Sequence, residues 1–216
     1  MKFSIIMPTF NREKMIKKSV LSVLGQTHKD LELIIKEGGE GKGYEAIKDI
    51  KDKRLIYIYS HDTGISHAFN IGLKLASGDV FMWCNDDDIL LPETLEIVSN
   101  RIGDKMWGYG RIEMYKDGVK KGEMGSPATL NDLRRFNPIP QPAVFWRREA
   151  FEKVGYMDET MKYAQDFDYW VRLMKEYPDY VFIDKVLAHY TLHDDQILSK
   201  AKSEQTRYAL QVQKSI

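Results

Sequence analysis

The sequence predicts an α/β fold: a doubly wound, mostly parallel central sheet flanked by helices and followed by a mixed C-terminal segment. Three observations carry that prediction. Short apolar runs rich in β-branched residues alternate with helical patterns through the first half, each run ends in a polar or glycine-rich loop, and a hairpin-like stretch breaks the alternation in the second half. Parallel strands joined by helices are covered on both faces, and right-handed crossovers bring their carboxyl ends to one edge.

The elements follow in order. "FSIIM" reads as the first strand, and Asn11 opens a helix through about Leu24 on the apolar positions Met15, Ile16, Val20, Val23 and Leu24. "LELIIK" is the second strand and "YEAIKDI" the second helix. "RLIYIYS" is the third strand, a helix covers about Ile65 to Ala76, and "DVFMWC" is the fourth strand. "MWGYGRIEMYKDGVKKGEM" reads as a hairpin turning at Asp117-Gly118. "TLNDLRRF" is a short helix, "AVFWRR" a strand and "AQDFDYWVRLMKEY" an amphipathic helix. "DYVFIDKVLAHYTLH" supplies one or two late strands, and the Lys/Gln-rich tail after Ser199 reads as a peripheral helix.

Composition narrows the function classes. A chain of 216 residues, 43% hydrophobic and 30% charged, suits one domain with a real core. Lys and Arg balance Asp and Glu at 32 each, so no general electrostatic case exists for nucleic acid or an anionic membrane surface. The single cysteine, Cys84, makes no internal disulfide. A reducing, cytoplasmic setting is therefore expected, with a peripheral station at a membrane left open. No apolar run approaches the roughly 18 residues of a transmembrane segment. The apolar N-terminus breaks at Pro8 without a small-residue cleavage site, so it reads as a buried strand and not a signal peptide.

Four loops, "PTFNRE", "EGGEGKG", "HDTG" and "NDDD", share the carboxyl edge of the predicted sheet, where doubly wound folds bind ligands. Gly38, Gly39, Gly41 and Gly43 let backbone N–H groups approach a ligand, with a flexible turn as the plainer reading. In "FMWCNDDDILLP" Asn85 precedes three consecutive carboxylates that repel one another unless something offsets them. Hard oxygen ligands on a turn suit Mg²⁺ or Mn²⁺ together with a ligand diphosphate. The alternative is a solvated turn opening the next helix, with Pro92 at an early helical position. Neither the phosphate-loop nor the dinucleotide glycine signature occurs.

Taken as blocks, "SIIMPTFNREKMIKKSVLSVLGQTHKDLELIIKEGG", "GISHAFNIGLKLASGDVFMWCNDDDILLP", "NPIPQPAVFWRREAFEKVGYMDE" and "YAQDFDYWVRL" resemble the inverting nucleotide-sugar glycosyltransferases of family 2, which have the GT-A fold. The resemblance covers most of residues 3 to 195. It implies a single GT-A-like domain over 1–216, with a nucleotide-sugar-binding half (1–100), an acceptor-side and catalytic-base half (101–198) and a peripheral tail (199–216). By the same resemblance Pro8, Thr9 and Asn11 line the nucleoside pocket. Glu37 replaces an aspartate that accepts from the uracil N–H, one methylene longer, and Asp62, His67 and Asn70 flank the nucleotide.

Two registers of "NDDD" stand open. In one, Asp86 holds the ribose and Asp87 the metal. In the other, Asn85 replaces the first aspartate, and Asp87 and Asp88 remain; Asp87 is the metal candidate in both. His193 resembles a late histidine that completes the metal shell, and Thr191 stands where the family often has arginine. Inverting transfer needs a carboxylate to take the acceptor hydroxyl's proton. Asp166 and Asp168 in "QDFDYW" are the candidates, and the resemblance selects Asp166, beside the plainer reading of a helix cap. Gln141 and Pro142 fall in the block that shapes the acceptor side, while Trp146, Tyr169 and Trp170 read as core packing.

The expected function is transfer of a sugar from a nucleotide-diphospho-sugar, UDP-linked, to a hydroxyl of a glycan, lipid-linked or protein-linked acceptor, assisted by Mn²⁺ or Mg²⁺. Two alternatives remain: a catalytically silent nucleotide-sugar-binding module, and a sugar-phosphate nucleotidyltransferase. The latter generally needs a glycine/arginine-rich loop after the first strand, and "PTFNRE" is not one.

Overall fold

A computed structural model describes residues 1–193 and 201–216. The last residues of the expected acceptor-side half, 194–198, and the start of the tail lie outside the described residues. The strands are β1 (Phe3–Thr9), β2 (Leu31–Glu37), β3 (Leu55–Tyr59), β4 (Val80–Trp83), β5 (Ile89–Leu90), β6 (Trp107–Lys116), β7 (Val119–Met124), β8 (Val144–Arg147) and β9 (Val181–Thr191). The helices are α1 (Ile16–Leu24), α2 (Lys42–Ile47), α3 (Ile65–Leu75), α4 (Thr94–Arg101), α5 (Leu130–Leu133), α6 (Arg148–Val154), α7 (Gln165–Glu176) and α8 (Lys202–Ser215).

Among the described residues one sheet runs β3-β2-β1-β4-β8-β6-β9-β5, with β7 added to β6. The first four strands are parallel, as the sequence predicts. β8 enters antiparallel between β4 and β6, and β9 runs parallel to β6 as a single late strand. The winding goes outward from β1 to β3 and then returns to β4 on the other side of β1. That reversal opens a crevice at the carboxyl ends of β1 and β4.

Pro8 shapes the crevice. The β1–β4 ladder stops at Ile6↔Trp83, whereas the β1–β2 ladder continues to Thr9↔Glu37. The Ile6 carbonyl accepts from Cys84 N at 3.1 Å, so Pro8, two residues on, turns its nitrogen to the same side, beyond the last rung. A missing N–H costs nothing there.

Alternation along the strands divides the core into two layers. Phe3, Ile5, Met7, Leu33, Ile35, Val80 and Met82 pack with α1 and α4 on one face. Ile6, Ile34, Phe81 and Trp83 pack with Phe69, Trp146 and Trp170 on the other. Trp146 lies 5.5 Å from both Tyr169 and Trp170, ring to ring, and all three are fully buried, in line with the packing reading. Val212 of α8 joins the same layer.

Three details depart from the sequence reading. α1 begins at Ile16, not Asn11, because Asn11 adopts a left-handed backbone (φ 55°) and the chain turns before the helix starts. Pro92 precedes α4 and its flanking residue Glu93 instead of lying within the first turn. The two-residue β5 and the helix α6 were not foreseen. The Asp117-Gly118 hairpin is present, with both turn residues at positive φ (52° and 76°), the geometry a two-residue hairpin turn requires.

Candidate active site

Each carboxylate of the acidic turn has a different environment. Asp88 N donates to Asn85 O at 3.3 Å, closing the turn. Asp86, 6% exposed, accepts from Thr9 Oγ1 at 2.5 Å, a bond that spans the β1/β4 crevice. Burial, then repulsion from Asp87, raises the Asp86 pKa to about 7 despite Thr9 and the nearby Arg12. Asp87 Oδ2 lies 2.9 Å from His193 Nε2. Asp88 is fully buried, accepts from Asn85 Nδ2 at 3.0 Å and from the Thr191 backbone, and keeps one oxygen without a hydrogen-bond partner. Burial, then the Asp87 charge, pushes its pKa far above the usual carboxylate range. The surroundings of Asp86 and Asp88 therefore disfavour their ionised forms.

Asn85 is tied to the other half of the chain. Its Nδ2 donates to Gln141 Oε1 at 2.6 Å, and Gln141 Nε2 donates to Trp83 O at 2.7 Å. No local pattern announces this link, because 56 residues separate the two side chains.

The glycine-rich loop is organised by two neighbouring charges on β2 that point to opposite faces of the sheet. Glu37, fully buried, accepts from Asn11 N (3.1 Å) and Gly39 N (2.8 Å) on one oxygen, and from Gly43 N (3.1 Å) and Tyr57 OH (3.4 Å) on the other. Lys36, also fully buried, donates to Glu37 O, Ser60 O and Asp62 Oδ2. Asp62 Oδ1 then accepts from Gly64 N at 3.1 Å. His67, in the first turn of α3, accepts on Nδ1 from Thr63 N of the same β3–α3 loop at 3.1 Å. Lys36 was missed in the sequence; a lysine closing the apolar run of a central strand, with an aspartate after the next strand, was the available signal.

Asn70 is engaged by the segment that follows α6. It donates to Met157 O (3.0 Å) and Glu159 Oε1 (2.8 Å) and accepts from Met157 N (3.0 Å), so its amide is committed to the segment that leads into α7. At the end of that segment Ala164 takes a left-handed backbone (φ 55°), uncommon for a residue with a Cβ. Asp166 follows in the first turn of α7. Burial raises its pKa, and backbone amides of Phe167 and of Asp166 itself pull the other way. Asp168 is otherwise employed: it pairs with Arg172 Nε at 2.8 Å, one helical turn on.

The far end of α7 is anchored to the sheet. Trp107 Nε1 donates to Tyr177 O, which fixes the end of α7 at the start of β6. β6 runs parallel to β9 and finishes with it at Tyr115↔Thr191, near the Asp87–His193 pair. α7 thus ends at the start of β6, and Asp166 lies at the opposite end of the helix. Next to Asp87, a cavity of about 260 Å³ opens between Lys14, Lys18 and Ser19 of the α1 region and Tyr115, Asp117 and His189.

Among the described residues no three His, Cys, Asp or Glu side chains converge as a closed metal cage. The donor set nonetheless fits a divalent cation that takes part of its shell from a ligand: Asp87 and His193 touch, and the buried Asp88 keeps one oxygen without a partner.

The model of glycosyl transferase family 2 matches residues 4–155. The chain belongs to that family. An uncharacterized glycosyltransferase of Rickettsia typhi is 27% identical over 219 residues, covering 95% of this chain and 68% of its own length. YwdF of Bacillus subtilis, also an uncharacterized glycosyltransferase, is 27% identical over 187 residues, covering 82% and 69%. Staphylococcus aureus TarS, 20% identical, superposes with a TM-score of 0.71 over 90% of this chain and 37% of its own. A mannosyltransferase of Pyrobaculum calidifontis, solved with GDP-Man and Mn²⁺, gives 0.71 at 16% identity over 99% and 63%. These superpositions establish a GT-A-like fold for this family-2 chain. The chain spans 37% and 63% of the length of these two solved proteins and, for some curated relatives, about a third. No described helix is long and apolar enough to cross a membrane.

Proposed function

We propose that the chain transfers a sugar, with inversion, from a nucleotide-diphospho-sugar to a hydroxyl of a glycan or glycoconjugate acceptor. The meeting of Thr9, Asp86, Asp87 and His193 at the β1/β4 crevice carries this reading. Four polar side chains from the end of β1, the acidic turn and the segment just after β9 meet where a nucleotide's phosphates would lie in a sheet of this winding. A TarS fragment has been solved with UDP-GlcNAc, and the P. calidifontis enzyme with GDP-Man and Mn²⁺. A UDP-linked donor is our first choice.

Asp87 and His193 would hold Mn²⁺ or Mg²⁺. Such a cation, when bound, supplies Lewis-acid stabilisation to the leaving diphosphate. Thr9 and Asp86 fix the ribose side of the crevice, and the Asn85–Gln141 link holds the acidic turn against the acceptor-side half. Asp166 takes the acceptor hydroxyl's proton as that oxygen attacks the anomeric carbon from the face opposite the diphosphate. A raised pKa suits the role, because a more basic carboxylate accepts the proton more readily.

The test is a thermal-shift screen of UDP-, GDP- and dTDP-sugars with Mn²⁺, followed by donor hydrolysis on wild type and Asp166→Asn. A ligand bound by the native state alone raises the melting temperature. Stabilisation by a nucleotide sugar together with turnover abolished in the variant supports the enzyme. Stabilisation without turnover supports a silent binder, and no shift with any donor refutes both.

A further inference from the structure

We infer that Glu37 is a positioning residue that clamps the β1–α1 loop to the β2–α2 loop, and that it does not read the nucleobase. The inference rests on the donor site proposed above and assigns one residue of it a different task.

The carboxylate has no capacity to spare. Its two oxygens receive three backbone amides and one phenol from three stretches of chain: Asn11 before α1, Gly39 and Gly43 around the start of α2, and Tyr57 on β3. A base N–H would have to displace one of these donors, and the displaced group, the Tyr57 hydroxyl at 3.4 Å or one of the three amides, would lose its acceptor. Tyr57 registers the same contact: burial, and after it the Glu37 charge, raises its pKa.

The surrounding glycines are cut to this side chain. A Cβ on Gly39 would come within 2.7 Å of Glu37 Oε1 and 2.4 Å of Asn11 Oδ1, and a Cβ on Gly43 within 2.6 Å of Glu37 Oε2. Neither glycine has a positive φ, so close approach alone excludes a side chain. Asn11 completes the clamp. Its left-handed backbone is held by Glu37 at its own amide and by Glu40 N, which donates to Asn11 Oδ1 at 2.7 Å. Strain of this kind persists only where the surroundings over-determine it. Two loops that would otherwise sample many arrangements are fixed before any ligand arrives, which lowers the ordering cost of binding.

Glu37→Gln keeps the size and shape and removes the charge, so at least one amide must face an NH₂ group. A clamp predicts that KM rises by about tenfold for UDP-, GDP- and dTDP-sugars alike, with kcat within about twofold, because the loop is loosened while Asp87 and Asp166 are untouched. Gly39→Ala, which keeps the carboxylate and displaces it, should give the same base-independent rise. A base reader predicts instead a loss confined to uridine and thymidine donors. That selective loss, or unchanged KM in both variants, overturns the inference. Amide hydrogen exchange on ligand-free protein supplies a readout independent of the donor. Asn11, Gly39 and Gly43 amides should be protected in wild type and exchange faster in Glu37→Gln; equal exchange refutes the clamp even if no nucleotide sugar binds. Wild type that binds no donor while showing this exchange pattern refutes the proposed function and leaves the clamp standing.

Discussion

Replacing Asp86 by Asn should stabilise the ligand-free protein, and the gain should grow with pH. Burial, then Asp87, raises the Asp86 pKa from 3.8 to about 7. Between about pH 4 and 7 the folded chain keeps a proton at this carboxyl that the unfolded chain has released, so stability falls as pH rises through that window and levels off above it. The displacement from 3.8 to about 7 amounts to about 4 kcal/mol once the group is ionised. Asn keeps an oxygen to accept from Thr9 Oγ1 and carries no charge. The stability difference, variant minus wild type, should therefore climb from near zero at about pH 4 to about 4 kcal/mol at about pH 8. Urea unfolding of metal-free protein, followed by tryptophan fluorescence from pH 4 to 8, measures it, and the linear slopes show whether both proteins unfold alike. Burial raises the Asp88 pKa too, and that contribution is common to both proteins, so the prediction concerns the gap between the curves. Parallel curves would refute the reasoning. Saturating Mn²⁺ and nucleoside diphosphate should reverse the ranking, since the ionised carboxylate then belongs to the bound state.

Asp166→Asn should lower kcat about 10²- to 10⁴-fold with donor affinity retained, whereas Asp168→Asn, which only breaks the Arg172 pair, should cost less than about tenfold; donor hydrolysis and calorimetric titration separate the two effects. His193→Ala should weaken Mn²⁺ binding about tenfold or more, read by the free-Mn²⁺ signal in electron paramagnetic resonance. Glu32→Gln should cost about 3 kcal/mol at neutral pH. Hydrogen bonds from Lys2, Ser4 and Ser77 outweigh burial and hold the Glu32 pKa at about 2 against 4.5, so this stability is present above about pH 4.5 and lost as pH falls through about 2; acid titration of wild type and variant checks it. Asn70→Ala should cost about 2 to 3 kcal/mol, because Met157 N is left buried without an acceptor, and the melting temperature should fall with it.

The first half of the fold was legible because each strand carries its own apolar run and each helix its own period. β1 to β4 and α3 needed no knowledge of distant neighbours. β5 was not legible: two residues have no period, and Ile89-Leu90 is a strand only because His189 and Ala188 lie alongside. α1 was read too long because Asn11 is a fair helix opener in isolation, while here Glu37, 26 residues later, takes its amide. The same distinction runs through the site. Asp86, Asp87 and Asp88 announced themselves by adjacency, and His193 by resemblance. The Asn85–Gln141 link, the Lys36–Asp62 pair and the commitment of Asn70 to Met157 depend on long-range packing that no local window contains.

β6 changes partners along its length. Trp107 to Tyr109 pair with β8, Ile112 to Lys116 pair with β7, and β9 runs along the other side. The hairpin thus projects past β8 like an awning hung from one rail, with Asp117 and Gly118 at the lip of the cavity beside Asp87. An exchange of those tip residues for a longer insert adds length where no third strand depends on it. Evolution, or an engineer, can redraw the entrance while the crevice between β1 and β4 stays as it is.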